Sequence, residues 1–401
     1  MPIWKRNLFV CWFGVFVASI GMSQIAPVLP LYINHLGVSD TRMVEQYSGF
    51  AFGITFILSA VFSPIWGIAA DKFGRKPMLL RASLGMAIVI FSMGFAQNMY
   101  ELIGLRLLQG VITGYASACT ALIATQTEKA HAGWALGTLS TAGIAGSLLG
   151  PSIGGFIELH FGMRNVFFIT GVLLMVAFIT TALFVKENFK RVDKKAQSFK
   201  EVWASIPEKN LTITLFITYF ALTLGMYSIE PILTVYVTSM TSQTEHVALL
   251  AGIIFSASGL ANMIAAPRLG TLSDRIGAHK VMLFALVFAG LLFIPQALVH
   301  QPWELMVLRF LLGLAAGGLN PSVNILLKKI TPDALTGRVF GFSMSAGYLG
   351  IFIGSILGGQ LAAWIGLRAV FFATGAILLL NAVWVYTKAY KKLNRIAAVS
   401  R

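Results

Sequence analysis

A lone carboxylate inside a long apolar stretch is the side chain of this sequence best placed to do chemistry. Glu230 stands in Tyr227-Ser228-Ile229-Glu230-Pro231, with apolar segments on either side. Apolar surroundings disfavour the charged form of a carboxyl, so such a group can exchange a proton near neutral pH, and it can also attract a cation. Pro231 lacks a backbone donor and frees an upstream carbonyl, which opens a helix beside the acid. Glu230 therefore reads either as a proton-coupling site or as a structural carboxyl hydrogen-bonded to a neighbouring helix. An ionisable group in hydrocarbon costs at least ~2.5–3.5 kcal/mol and needs such a reason. Arg106, in Leu105-Arg106-Leu107-Leu108-Gln109-Gly110, poses the same question. Its five donors can hold the carbonyls of a broken neighbouring helix or orient a carboxylate. Arg309 occupies the corresponding place in a second copy of this stretch and reads as structural.

Polar and aromatic residues in the same apolar stretches could line a pocket: Gln24, Tyr115, Met226, Tyr227, Asn320, Asn324, Ser343 and Tyr348. Methionine and aromatic side chains give large, adaptable apolar contacts, and aromatic faces hold cations. With 30 Phe in the chain, however, most aromatics simply face lipid or core. Cys11 and Cys119 have no His or acid at ligand spacing, so neither a disulfide nor a metal site is expected. The sequence holds no Gly-x4-Gly-Lys-Ser/Thr loop for ATP.

The elements that must carry these residues follow from composition. Of 401 residues, 57% are hydrophobic and 11% charged, against about 25% charged in soluble domains. The fold class is an all-α membrane protein. Twelve stretches approach the ~20 residues that cross a bilayer, at about 8–32, 47–69, 78–96, 101–125, 134–157, 165–185, 211–237, 247–269, 280–298, 303–328, 338–363 and 368–387. They form an N-terminal six-helix bundle over 1–185 and a C-terminal one over 211–401. The linker over 186–210 has seven basic and four acidic residues. Alternating the loops places 25 of 30 Lys/Arg on one side, leaving Arg42, Arg164 and Arg368 on the other and Arg106 and Arg309 within spans. By the positive-inside rule the rich side, with both termini, is cytoplasmic. The net charge of +15 is thus a topology signal rather than a nucleic-acid surface. The first stretch lacks an A-x-A-like site and is expected to be retained as a span.

Short motifs recur at a spacing of 203–204 residues. Gly67-x-x-x-Asp71-x-x-Gly74 returns as Gly270-x-x-x-Asp274-x-x-Gly277, and Gly146-x3-Gly150-Pro151-x2-Gly154-Gly155 returns as Gly350-x3-Gly354-Ser355-x2-Gly358-Gly359. Glycines four apart make a smooth stripe on which membrane helices pack closely. Asp71 can accept from backbone donors at a helix N-terminus, with basic residues four and five positions on answering carboxylates, as a latch would. The copies differ where chemistry is concerned: Glu230 corresponds to Ala26, Pro151 to Ser355, and Arg75-Lys76 to Ala278-His279. Two like halves with a site between them are a common transporter design.

These motifs resemble those of the major facilitator superfamily. Asp71-Lys72-Phe73-Gly74-Arg75-Lys76 is similar to its signature loop, Leu102…Arg106…Gln109-Gly110 to its fourth-span motif, and Gly146…Gly155 to the fifth-span motif of its exporters. Stretches such as Trp4-Lys5-Arg6-Asn7-Leu8 and Gly133-Trp134-Ala135-Leu136-Gly137 resemble the twelve-span drug:proton antiporter group, in particular MdtG/PmrA-like bacterial multidrug efflux proteins. The resemblance implies conformational gating by Gly67, Asp71, Gly74, Arg75, Asp274 and Arg275. It implies proton coupling by Arg106 beside Glu230, and an antiporter motif of Gly146, Gly150, Pro151, Gly154 and Gly155. The expected function is proton-coupled export of lipophilic or cationic drugs by alternating access. A lipid or glycolipid flippase and proton-coupled metabolite uptake are the alternatives. No enzymatic activity, cofactor, metal or nucleic acid is expected. The proton gradient is expected to supply the energy, the expected partners are small lipophilic molecules, protons and membrane lipid, and a monomer is expected in a bacterial cell membrane with both termini cytoplasmic.

Overall fold

The computed structural model describes residues 2–128, 131–187, 189, 203–241, 246–332 and 335–390. Most of the linker expected over 186–210 lies outside them. Among the described residues the regular structure is helical, and twelve helices are long and apolar enough to cross a membrane. In chain order, spans 1 to 6 begin at Ile3, Thr41, Arg75, Met99, Ala132 and Met163. Spans 7 to 12 begin at Lys209, Val247, Ala278, Pro302, near Thr336, and at Leu367.

Three spans are interrupted. Span 1 is Ile3–Ser23 continued by Ile25–His35, and span 4 is Met99–Ile112 continued by Tyr115–Gln126. Span 7 is Lys209–Ile229, a 3-10 turn at Glu230–Ile232, then Leu233–Thr238. Pro231 sits in that turn, as its missing donor requires. Span 2 runs Thr41–Phe73, six residues earlier than its hydrophobicity suggests, because Asp40 caps it by accepting from the Arg42 N–H at 2.8 Å.

Buried apolar side chains fall into two clusters, one drawn almost wholly from spans 1–6 and the other from spans 7–12. The sequence repeat reappears as matched contacts. Tyr32 donates to the Met93 carbonyl at 2.5 Å and Tyr236 to that of Gln296 at 2.9 Å. Each tyrosine also packs on a phenylalanine, Phe167 or Phe371, with ring centroids 4.7 Å apart. Gln24 bonds Thr170 at 2.5 Å, and the equivalent Ser228 bonds Thr374 at 2.7 Å.

The clusters meet along two equivalent seams, span 2 with span 11 and span 5 with span 8. Gly49 and Gly53 lie against Ser355, Gly359 against the Glu45 carbonyl, Gly252 against Pro151, and Gly155 against Ala248. Hydrogen bonds cross from Gln46 to Gln360 (3.0 Å), Ser152 to Ser256 (2.8 Å), Ser256 to the Leu148 carbonyl (2.6 Å) and Thr234 to the Pro27 carbonyl (3.0 Å). All these residues lie toward the end of the bundle away from the start of span 1. At the other end, a Cβ added to Gly67, Gly133, Gly137, Gly270 or Gly341 would have no neighbour within 4 Å. The halves are zipped at one end and parted at the other.

Candidate functional site

Between the halves lies a cavity of about 770 Å³, walled by spans 1–5, 7, 8, 10 and 11. Its position follows from the interrupted helices. The 3-10 turn of span 7 puts Glu230 in the wall, to which the repeat-equivalent Ala26 also belongs. The break in span 4 brings Thr113 to Ser117 to the surface of the cavity. That break rests on Gly114, whose φ of 116° is left-handed, while the equivalent Gly317 lies within the continuous helix of span 10. A Cβ at Gly114 would find its nearest neighbour at 3.6 Å, so space is not the constraint. We expect Gly114→Ala to cost about 1–2 kcal/mol through backbone strain alone. A thermal melt of the purified variant checks this, and an unchanged melting temperature would count against the strained turn.

Of the pocket residues expected from sequence, Tyr115, Met226, Tyr227, Asn320 and Tyr348 line the cavity. Tyr227 and Tyr348 stand with Phe52 and Phe56 of span 2 in an aromatic group that bridges the halves. Ring centroids are 6.2 Å from Tyr227 to Phe52, 6.3 Å from Tyr227 to Phe56 and 6.1 Å from Tyr348 to Phe56. Three expectations are corrected. Gln24 is 1% exposed and turned away from the cavity onto Thr170, because the turn after Ser23 sends its side chain between spans 5 and 6. Asn324, one helical turn beyond Asn320 toward the parted end, is exposed and not in the wall, and Ser343 is buried behind it.

Glu230 and Arg309 are the charged side chains among the residues lining the cavity. Arg309 belongs to the site, where the sequence suggested a purely structural role. Arg106 is 1% exposed and outside the wall. Its Nε donates to the Ala51 carbonyl at 2.8 Å, Nη2 to that of Phe52 at 3.1 Å and Nη1 to Gln109 Oε1 at 2.7 Å. It clasps span 2 to span 4, the first of the two roles its donors allowed. Glu45 is a second acid that the sequence placed outside a span. With span 2 beginning at Thr41 it lies in the closed seam, 4% exposed.

The signature-loop residues lie at the parted end. Gly67 is within span 2, and a Cβ built on it would meet nothing within 4 Å among the described residues. The side chains of Asp71 and Asp274 lie outside the described structure. Gly74 (φ 96°) and its equivalent Gly277 (φ 103°) turn the chain into spans 3 and 9. The N–H groups of Arg75 and Lys76 donate to Glu187 Oε1 and Oε2 at 2.8 and 2.7 Å. Glu187, three residues past the end of span 6, thus supplies a carboxylate to this N-terminus, a partner the loop motif alone does not reveal. Arg275 begins no new element; it lies in the last turn of span 8.

The antiporter-motif glycines divide their work. Gly146 and Gly150 pack on Phe16 to Ser23 of span 1 and Gly154 on Gln24, at helical spacing along one face. Gly155 and Pro151 instead face span 8 across the seam.

A family model described as the Major Facilitator Superfamily matches residues 11–243 and 215–400. The chain is 43% identical over 394 residues to a curated "Multidrug resistance protein MdtG" of Salmonella arizonae, covering 98% of each protein. A solved structure of a bacterial homologue of the human lysosomal transporter Spinster, titled as inward-facing and occupied, superposes with a TM-score of 0.80 at 13% identity, covering 98% of each chain. The unoccupied inward-facing form gives 0.78 at 14% identity, covering 100% of this chain and 99% of that one. At such identities these two likenesses concern the fold alone.

Proposed function

The chain belongs to the major facilitator superfamily, and from that membership we propose that it exports lipophilic or cationic drugs in exchange for protons, by alternating access. The observation that carries the reading is Glu230. It is a carboxylate in the cavity wall beside a helix break, with no hydrogen bond among the described residues, in a cavity lined, Arg309 apart, by aromatic, methionine, small polar and small apolar side chains. A proton and a cationic drug compete for such a group, which is the elementary requirement of exchange. The aromatic group supplies faces for a lipophilic or cationic body. The full-length relative named for multidrug resistance supports the cargo class.

With the basic loops on the cytoplasmic side, the parted end faces the cytoplasm and this structure is inward-facing. Export then requires the halves to close around Gly67, Asp71, Gly74 and Arg75 and the second copy at Asp274 and Arg275, while the glycine seams open. Arg106 acts here by holding span 2 against span 4 during that movement, a positioning role.

The deciding measurement uses inverted membrane vesicles containing the protein. Adding a lipophilic cationic drug to energised vesicles is expected to release protons from the lumen, and vesicles without the protein should not respond. Drug uptake with no proton release would sink the exchange reading.

A further inference from the structure

The repeat makes Arg309 the counterpart of Arg106, yet the two arginines live in different circumstances. Both are buried, at 4% and 1% exposure. Arg106 has three acceptors, one of them Gln109 Oε1. At the position of Gln109 the second half carries Leu312, which offers none. Among the described residues Arg309 makes no hydrogen bond and no ion pair within 4.0 Å, and its Nε and Nη2 are enclosed without an acceptor. Buried donors are nearly always paired, because their lost hydration is otherwise uncompensated. Nη1 is the guanidinium nitrogen not so enclosed, and the side chain lines the cavity. The missing acceptor has room to come from there. Glu230 lines the same wall without forming an ion pair with Arg309. With Glu230 ionised, the wall carries one charge of each sign and is neutral.

We propose that Arg309 seats an oxyanion of the cargo, so that the Glu230–Arg309 pair selects amphoteric molecules, those with a carboxylate on a cationic lipophilic body, over plain cations. This deepens the export reading above and rests on it. A plain cation drawn to Glu230 also meets the field of Arg309 and leaves its donors unmet. An amphoteric molecule answers both charges, while the Phe52, Phe56, Tyr227 and Tyr348 rings hold its body. A planar carboxylate is the acceptor that matches the guanidinium fork at two points. The first half cannot build such a seat, since Arg106 has spent its donors on span 2 and Gln109.

The test is a dye pair differing in one group: rhodamine 110, which has a free carboxylate, and rhodamine 123, its methyl ester. Binding to the purified full-length protein in lipid nanodiscs is followed by fluorescence anisotropy. The wild type should bind the acid about tenfold more tightly than the ester, the scale of a charge-assisted hydrogen bond. Arg309→Gln should erase that preference, weakening binding of the acid and, with the repelling field gone, tightening binding of the ester. Arg309→Lys keeps the charge without the fork and should lower the preference several-fold. Equal affinity of the wild type for both dyes overturns the assignment, as does a preference that survives either substitution. If Arg309→Gln binds neither dye, the Arg309→Lys ratio decides in the same way. If the wild type itself binds neither dye, the export reading falls, and this inference with it.

Discussion

Glu230→Gln is expected to bring drug-dependent proton release to the level of vesicles lacking the protein, while the variant stays folded in the membrane. Glutamine keeps the shape of the side chain and loses its ability to ionise. Glu230 makes no hydrogen bond among the described residues, so its removal breaks none, and the relief of holding one charge out of water is set against the loss of the charge that balances Arg309. The melting temperature should therefore change little. A structural carboxyl bound to a neighbouring helix behaves differently, since its loss would cost about 1–3 kcal/mol. The pH dependence has a definite sign. A cation needs the ionised carboxylate, so cationic-drug affinity of the wild type should fall as pH falls, whereas the glutamine variant should bind weakly at every pH. Undiminished proton-driven transport by Glu230→Gln, or a wild-type affinity that rises on acidification, would refute the coupling role.

The second large effect concerns the seams. A Cβ at Gly155 would lie 2.5 Å from the Ala248 carbonyl oxygen and 2.6 Å from Leu249 Cα, with backbone on both sides and no flexible side chain to give way. Gly155→Leu should cost at least about 1–3 kcal/mol as overpacking, lower the melting temperature and abolish transport. Gly67→Leu is the contrasting case. Nothing among the described residues lies within 4 Å of a Cβ there while this end stands parted, so stability and drug binding should be unchanged. Closure at the parted end requires that space, so transport should stop. Binding titrations, melts and vesicle transport on the two variants separate these outcomes, and a Gly67→Leu protein that still transports would remove the loop from the gate.

The spans and the two-half plan were legible because both rest on periodic, strongly apolar segments and on motifs repeated at fixed spacing. Glu230 was legible for the opposite reason, as an exception to its surroundings. The failures share a cause: hydrophobicity locates a span but not which way a side chain turns at a break. Gln24 sits at such a break and points between spans 5 and 6. Glu45 was missed because a capped span begins before its apolar run does. Arg309 was misjudged because it copied Arg106, and the decisive difference is three residues away, where Leu312 replaces Gln109. Glu187 carries no motif, and only the fold brings it to the start of span 3.

The paired bonds of Tyr32 with Met93 and Tyr236 with Gln296, and of Gln24 with Thr170 and Ser228 with Thr374, each begin and end within one half. None has to break when the halves rock. The work of switching therefore falls on the glycine seams, while cargo is judged in the cavity. Turnover speed and drug choice are written in largely different residues, with Pro151 shared between seam and cavity wall, so selection can retune one with little disturbance of the other.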